Sequence, residues 1–127
     1  MNINRIEEYL ANEGYRPSLI EDCMLKFKRE GIIYIIETDN NDEEFIKIIY
    51  PNFWSINDER ERALADKAAQ DVTRRIKVAK VYTVQQDNTW ALIELFLPDE
   101  DALWPIFDRC ISVLGAATNL FGETMRK

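Results

Sequence analysis

Apolar positions along this chain change period several times, and each change marks an element. Ile3, Ile6, Tyr9 and Leu10 recur at helical spacing and Gly14 follows as a C′ residue, which predicts a short first helix. Asn4 with Glu7 three residues on resembles a capping arrangement, and Asn2 is a rival cap. Tyr15-Arg16-Pro17-Ser18 reads as a loop. Cys23, Leu25 and Phe27 then alternate with Met24, Lys26 and Lys28, the pattern of a half-buried strand. Arg29-Glu30-Gly31 turns the chain into the continuous apolar run 32–36, a central strand. The polar stretch 38–43 makes the next turn, and 45–50 is a third strand, ended by Pro51.

Beyond Pro51-Asn52-Phe53-Trp54 a helix runs to about Arg75, with Ser55 and Asn57 as candidate caps. Asp58, Glu59 and Glu61 lead and Arg74 and Arg75 trail, which suits the macrodipole; Asp58–Arg62 and Asp71–Arg75 are expected ion pairs. Its apolar stripe is thin: Ala65, Ala68, Ala69 and Val72. Two β-branched and aromatic runs within 76–97 flank the polar stretch 85–89 and predict an antiparallel hairpin. Pairing Val84 with Trp90 places Lys80 opposite Glu94 and neutralises both charges. One face then carries Ala79, Val81, Thr83, Ala91, Ile93 and Leu95, and the other Val78, Tyr82, Val84, Trp90, Leu92 and Phe96. Pro98-Asp99-Glu100-Asp101 caps a last helix with Leu103, Phe107, Cys110, Leu114, Ala117 and Phe121 on its apolar face. Residues 122–127 are expected to fray. The pattern predicts one α+β domain over 1–127, in the order αβββαββα, with three helices on a five-stranded, mostly antiparallel sheet.

Composition narrows the function. At 127 residues and 46% apolar the chain is long enough and apolar enough for one core. A formal net charge of −7 disfavours nucleic acid and anionic membranes, which select clustered Lys and Arg. No apolar run approaches the ~20 residues that span a bilayer, and the first residues lack a signal-peptide pattern, so a cytoplasmic protein is expected. Cys23 and Cys110 lie outside any Cys-x-x-Cys motif and read as reduced, buried small hydrophobes.

Catalytic patterns are missing. There is no histidine, which removes Ser-His-Asp and Cys-His systems and the usual zinc sites. The acidic turn 39–44 fails the calcium-loop template: Glu44 stands where Gly is needed and Tyr50 where the bidentate Glu belongs. Gly14, Gly31, Gly115 and Gly122 are scattered singly, so neither phosphate-loop nor dinucleotide patterns occur. No catalytic residue, cofactor or metal is therefore expected. Lys80 with Glu94 reads as a structural pair rather than an acid and base, and Phe53 and Trp54 as aromatics plugging the end of a core.

Phe27-Lys28-Arg29-Glu30-Gly31, Pro51-Asn52-Phe53-Trp54, Lys77-Val78-Ala79-Lys80-Val81-Tyr82 and Trp90-Ala91-Leu92-Ile93-Glu94-Leu95-Phe96 occur in an order and spacing that resembles the YbjN-like domain family. That family is also described as bacterial sensory transduction regulators, and the resemblance covers roughly 15–121. It implies a fold similar to type III secretion chaperones, usually homodimers that hold extended client segments. It brings no catalytic residues.

A non-enzymatic protein-binding module, chaperone-like or regulatory, follows as the expected function. The long alanine-lined helix would lie on the face with Val78, Tyr82, Trp90, Leu92 and Phe96, which it cannot cover. That face, with Val72 beside it, is the expected homodimer or partner surface. The alternative is a small-molecule-binding or enzymatic domain with a pocket under Phe53-Trp54. An acidic immunity or antitoxin protein masking a basic partner is a third reading.

Overall fold

A computed structural model describes all of residues 1–127. The elements are α1 (Ile3–Asn12), β1 (Ser18–Glu21), β2 (Met24–Arg29), β3 (Ile32–Asp39), β4 (Asp42–Tyr50), α2 (Glu59–Arg75), β5 (Ala79–Val84), β6 (Asn88–Phe96), a 3-10 turn (Glu100–Ala102) and α3 (Trp104–Met125). The fold is α+β, with three helices and an antiparallel sheet of order β1-β2-β3-β4-β6-β5. Six strands replace the expected five, and the element order is αββββαββα. The additional strand, β1, is four exposed residues with a bulge between Leu19 and Glu21. It has no apolar alternation to reveal it; only its ladder with β2 makes it a strand. No helix is long and apolar enough to cross a membrane.

By their contacts the residues form two compact units, Met1–Ile49 with Glu94–Asp108, and Tyr50–Ile93 with Arg109–Lys127. In the first unit Asn2, the rival of Asn4, caps α1, its Oδ1 accepting from the Asn4 N–H at 2.9 Å. The helix ends in a Schellman motif: Gly14 at φ +96°, the Tyr15 N–H on the Leu10 carbonyl and the Gly14 N–H on the Ala11 carbonyl. Ile3, Ile6 and Leu10 are buried. The β2–β3 turn is two residues, Glu30 and Gly31, both at positive φ, the twist that a tight hairpin requires. Leu25, Phe27, Tyr34, Ile36, Ile46 and Ile48 are buried, with Leu103 and Phe107 from the start of the last helical segment. Phe27 is the hub, its ring centroid 5.5 Å from Tyr15 and from Tyr34 and 5.7 Å from Phe107. On the opposite side of these strands Lys26, Lys28 and Ile33 are exposed. The acidic β3–β4 turn is organised by its own side chains, Asp39 Oδ1 accepting from the Asn41 N–H and Asp42 Oδ1 from the Glu44 N–H.

In the second unit the N-cap of α2 is Asp58, not Ser55 or Asn57. Its Oδ1 accepts from the Glu61 N–H at 2.8 Å, while Glu61 Oε1 accepts from the Asn57 N–H at 2.7 Å. Arg62 consequently leaves Asp58 and reaches the β5–β6 loop. Its Nη2 donates to Asp87 Oδ1 at 2.7 Å and to the Val84 carbonyl at 3.2 Å. Asp71 does pair with Arg75, at 3.1 Å, and also with Arg74. The stripe Ala65, Ala68, Ala69 and Val72 is buried as expected.

The hairpin register differs from the charge-paired expectation. Tyr82 pairs with Trp90, Val81 with Ala91, and Lys80 with Leu92 rather than Glu94. The loop is three residues, Gln85-Gln86-Asp87, closed by Asp87 at φ +58°, so the register shifts by two and the face assignments survive. The loop is tied to α2 by Arg62, which bonds both Asp87 and the Val84 carbonyl, and this register follows its length. Thr89, read from sequence as turn, is instead a fully buried strand residue. The last helix does not fray at 122: it continues to Met125, with Thr124 Oγ1 donating to the Leu120 carbonyl at 2.9 Å.

Candidate functional site

The hairpin's two faces are treated differently. Helix α2 lies on the Ala79, Val81 and Thr83 side, where the Thr83 hydroxyl donates to Asp66 and Thr73 Oγ1 holds both main-chain groups of Val81. This corrects the expected placement of α2 on the Tyr82 and Trp90 face, and it has a chemical reason. Thr73 takes the Val81 N–H (2.8 Å) and donates to the Val81 carbonyl (3.1 Å), occupying the free edge of the sheet's last strand.

The other face is left open around Tyr82, which is 42% exposed. Its ring meets Trp90 edge-on at 6.4 Å. Trp90 is half-buried, and its Nε1 donates to Asn52 Oδ1 at 2.9 Å. Val78 is 56% exposed but precedes the strand: it sits at φ +71°, with the Ala79 N–H bonded back to the Lys77 carbonyl. That is a γ-turn of the rarer hand centred on a β-branched residue. Of the other residues expected at a contact surface, Leu92 and Val72 are buried and cannot reach a partner. Phe96 belongs to the first unit, 74% exposed, with its ring against Phe45 at 6.1 Å.

Phe53 and Trp54 are held in place by a ladder of bonds. The Phe53 N–H donates to the Thr89 carbonyl, Thr89 Oγ1 to the Trp54 carbonyl, the Ile56 N–H to the Asp87 carbonyl, and Trp54 Nε1 to Glu61 Oε2. Both rings pack edge-on against buried Phe121, at 5.1 and 5.6 Å, so they do plug a core. Beside them lies a cavity of about 210 Å³ lined by Tyr50, Phe53, Trp54, Thr118, Asn119, Gly122 and Arg126. A wider groove of about 490 Å³ is lined by α2 and the chain's last residues, with Lys67, Arg74 and Lys127 on its walls beside Leu64 and Met125.

In the first unit a third cavity, about 290 Å³, collects Tyr9, Glu13, Tyr15, Arg29, Trp104, Phe107 and Asp108. Tyr9 stacks flat on Trp104 at 3.7 Å and donates to Glu13. Burial and the neighbouring Glu13 carboxylate both push the Tyr9 phenol up. Arg29 is bonded to Asp108 at 2.8 Å, which holds its guanidinium charged against the cost of partial burial. Sequence reading missed this cluster because its members come from three distant stretches with no shared spacing. Every ionic group in it already has a partner, so it reads as structural. No group of three or more Cys, Asp and Glu side chains is placed to hold a metal ion.

No family model matches the chain, and no curated protein matches it. Among solved structures it is similar to an uncharacterized protein from Methanothermobacter thermautotrophicus, at 12% sequence identity and a TM-score of 0.62, covering 98% of this chain and 99% of that one. At that identity the likeness establishes the fold alone.

Proposed function

We propose that this is a non-enzymatic protein-binding module, chaperone-like or regulatory, that acts as a cytoplasmic homodimer through the open face of the β5–β6 hairpin. The observation that carries the reading is Tyr82, 42% exposed on the face opposite α2 and braced edge-on by Trp90. A large, stiff aromatic exposed beside a half-buried tryptophan has the composition of an interface hot spot. Thr73 occupies the outer edge at Val81, so the contact uses the side-chain face rather than strand addition. A two-fold axis through this face would set each Tyr82 against its counterpart, the commonest closed symmetry. The resemblance to YbjN-like domains and, through them, to type III secretion chaperones supports the same reading.

Light scattering at micromolar concentration tests it, with Tyr82→Glu as the comparison. Tyr82 is a better probe than Trp90, whose indole also anchors Asn52. The expected result is twice the chain mass for the wild type and a folded monomer for Tyr82→Glu. A wild-type monomer, or a dimer that Tyr82→Glu leaves intact, would refute the reading.

A further inference from the structure

Arg126, like Arg16, Arg60 and Arg109, carries its charge outside the ion pairs of a chain of formal net charge −7, but it alone of these lines a cavity. Arg5, Arg29, Arg62, Arg74 and Arg75 are each held by a carboxylate, whereas the Arg126 guanidinium has no ion-pair or hydrogen-bond partner. Its place is set one helical turn earlier. A Cβ built on Gly122 would lie 3.0 Å from Nη1 and 3.3 Å from Nη2 of Arg126, closer than ordinary contact. The absence of a side chain at 122 therefore lets the guanidinium lie down on the helix, at the wall of the cavity beside Phe53 and Trp54.

The opposite wall is aromatic and fixed. Tyr50 and Phe53 meet edge-on at 5.7 Å, and the Thr89 and Glu61 bonds pin Phe53 and Trp54. Asn119 offers an amide that no other group occupies. Arg126 is the one cation lining the cavity. A single guanidinium matches a carboxylate, which it can grip through two parallel N–H···O bonds. The volume, about 210 Å³, falls below the roughly 300–1,000 Å³ of sites for drug-sized ligands, so the occupant is small.

We propose that this cavity binds a small aromatic carboxylate. The carboxylate lies on Arg126, Asn119 donates a further hydrogen bond, and the ring rests against Phe53 and Trp54. The site is separate from the Tyr82 surface and does not depend on it. Because Arg126 is itself exposed to water, a dissociation constant of about a millimolar is expected for a ligand the size of benzoate.

The test is a nitrogen-15 NMR titration of the full chain with sodium benzoate, with benzamide as the neutral isostere and inorganic phosphate as the apolar-free anion. Saturable shifts are expected at the Trp54 indole N–H, the Asn119 side-chain amide and the Gly122 N–H. Benzamide, phosphate and the Arg126→Gln variant should each bind about tenfold more weakly. Gly122→Ala keeps the charge but displaces the guanidinium, so it should weaken benzoate severalfold while leaving α3 folded. Benzamide or phosphate binding as tightly as benzoate would overturn the proposal. So would undiminished binding by Arg126→Gln, or no saturable shift at tens of millimolar. Because Tyr82→Glu changes only the other surface, its benzoate titration should match the wild type, and loss of dimerisation leaves this result standing.

Discussion

Replacing Thr89 with valine tests whether the Phe53-Trp54 connection is held as the hydrogen bonds indicate. Thr89 is 0% exposed, and its Oγ1 donates to the Trp54 carbonyl at 3.1 Å. Valine keeps the shape and the strand preference but removes the hydroxyl, so almost no packing is lost. The net worth of one such bond is about 1 kcal/mol, and a carbonyl stranded without a partner away from water costs about 1–3 kcal/mol. The expected loss is therefore about 1–3 kcal/mol, which for a chain of this length lowers Tm by roughly 4–11 °C. Thr89→Ser keeps the donor and loses one methyl, for about 1 kcal/mol. Urea unfolding followed by tryptophan fluorescence gives both values. A Thr89→Val variant within about 0.5 kcal/mol of wild type would show that the bond does not hold the connection.

Three further outcomes follow from other parts of the chain. Val78→Gly, measured in the Tyr82→Glu background so that association does not enter, should stabilise by about 1 kcal/mol. Relief of strain at φ +71°, of order 1–3 kcal/mol, exceeds the ~0.5–1 kcal/mol entropic cost of glycine, and destabilisation would contradict the γ-turn. Asp71 should titrate below the ordinary aspartate range because Arg75 and Arg74 bond its carboxylate. A folded-state pKa below the unfolded one gives stability that is present at neutral pH and lost as pH falls through the lowered value. Carbon-13 NMR titration should show the midpoint move back up in Arg75→Gln, and an unchanged midpoint would count against the pair. Native protein should show two free thiols. Cys23, half-buried, should react readily with a disulfide reagent, and Cys110 only on unfolding, since burial pushes its thiol pKa up. Equal native rates would place Cys110 wrongly.

Much of this architecture is legible from residue order because its signals are local. The α1 stripe, Gly14 as helix terminator, the Glu30-Gly31 turn and the alanine face of α2 each rest on neighbours within a turn or two. What fails is what distant residues decide. Spacing pairs Arg62 with Asp58, four residues away, but the α2 cap uses Asp58 and frees Arg62 for Asp87. That loop contact accompanies a register two residues from the charge-paired one and draws Thr89 from turn to core. Because a shift of two preserves face parity, Tyr82 and Trp90 stay on the face assigned to them. Thr73 was invisible as an edge clamp, since its role depends on α2 lying beside β5. Gly122 with Arg126 is different: a glycine one turn before an arginine is a local signal, in a terminal stretch expected to fray.

Isotope-filtered NMR on a mixed dimer tests the contact surface most directly. One copy carries carbon-13 and nitrogen-15 labels, the other none, and only contacts between copies are recorded. The expected result is a set of intermolecular contacts from the Tyr82 ring, centred on Tyr82 and the exposed edge of Trp90 of the second copy. Contacts confined instead to exposed Leu19 and Ile20 on β1, the sheet's other terminal strand, would contradict the proposed surface, as would a dimer in which the Tyr82 ring shows none.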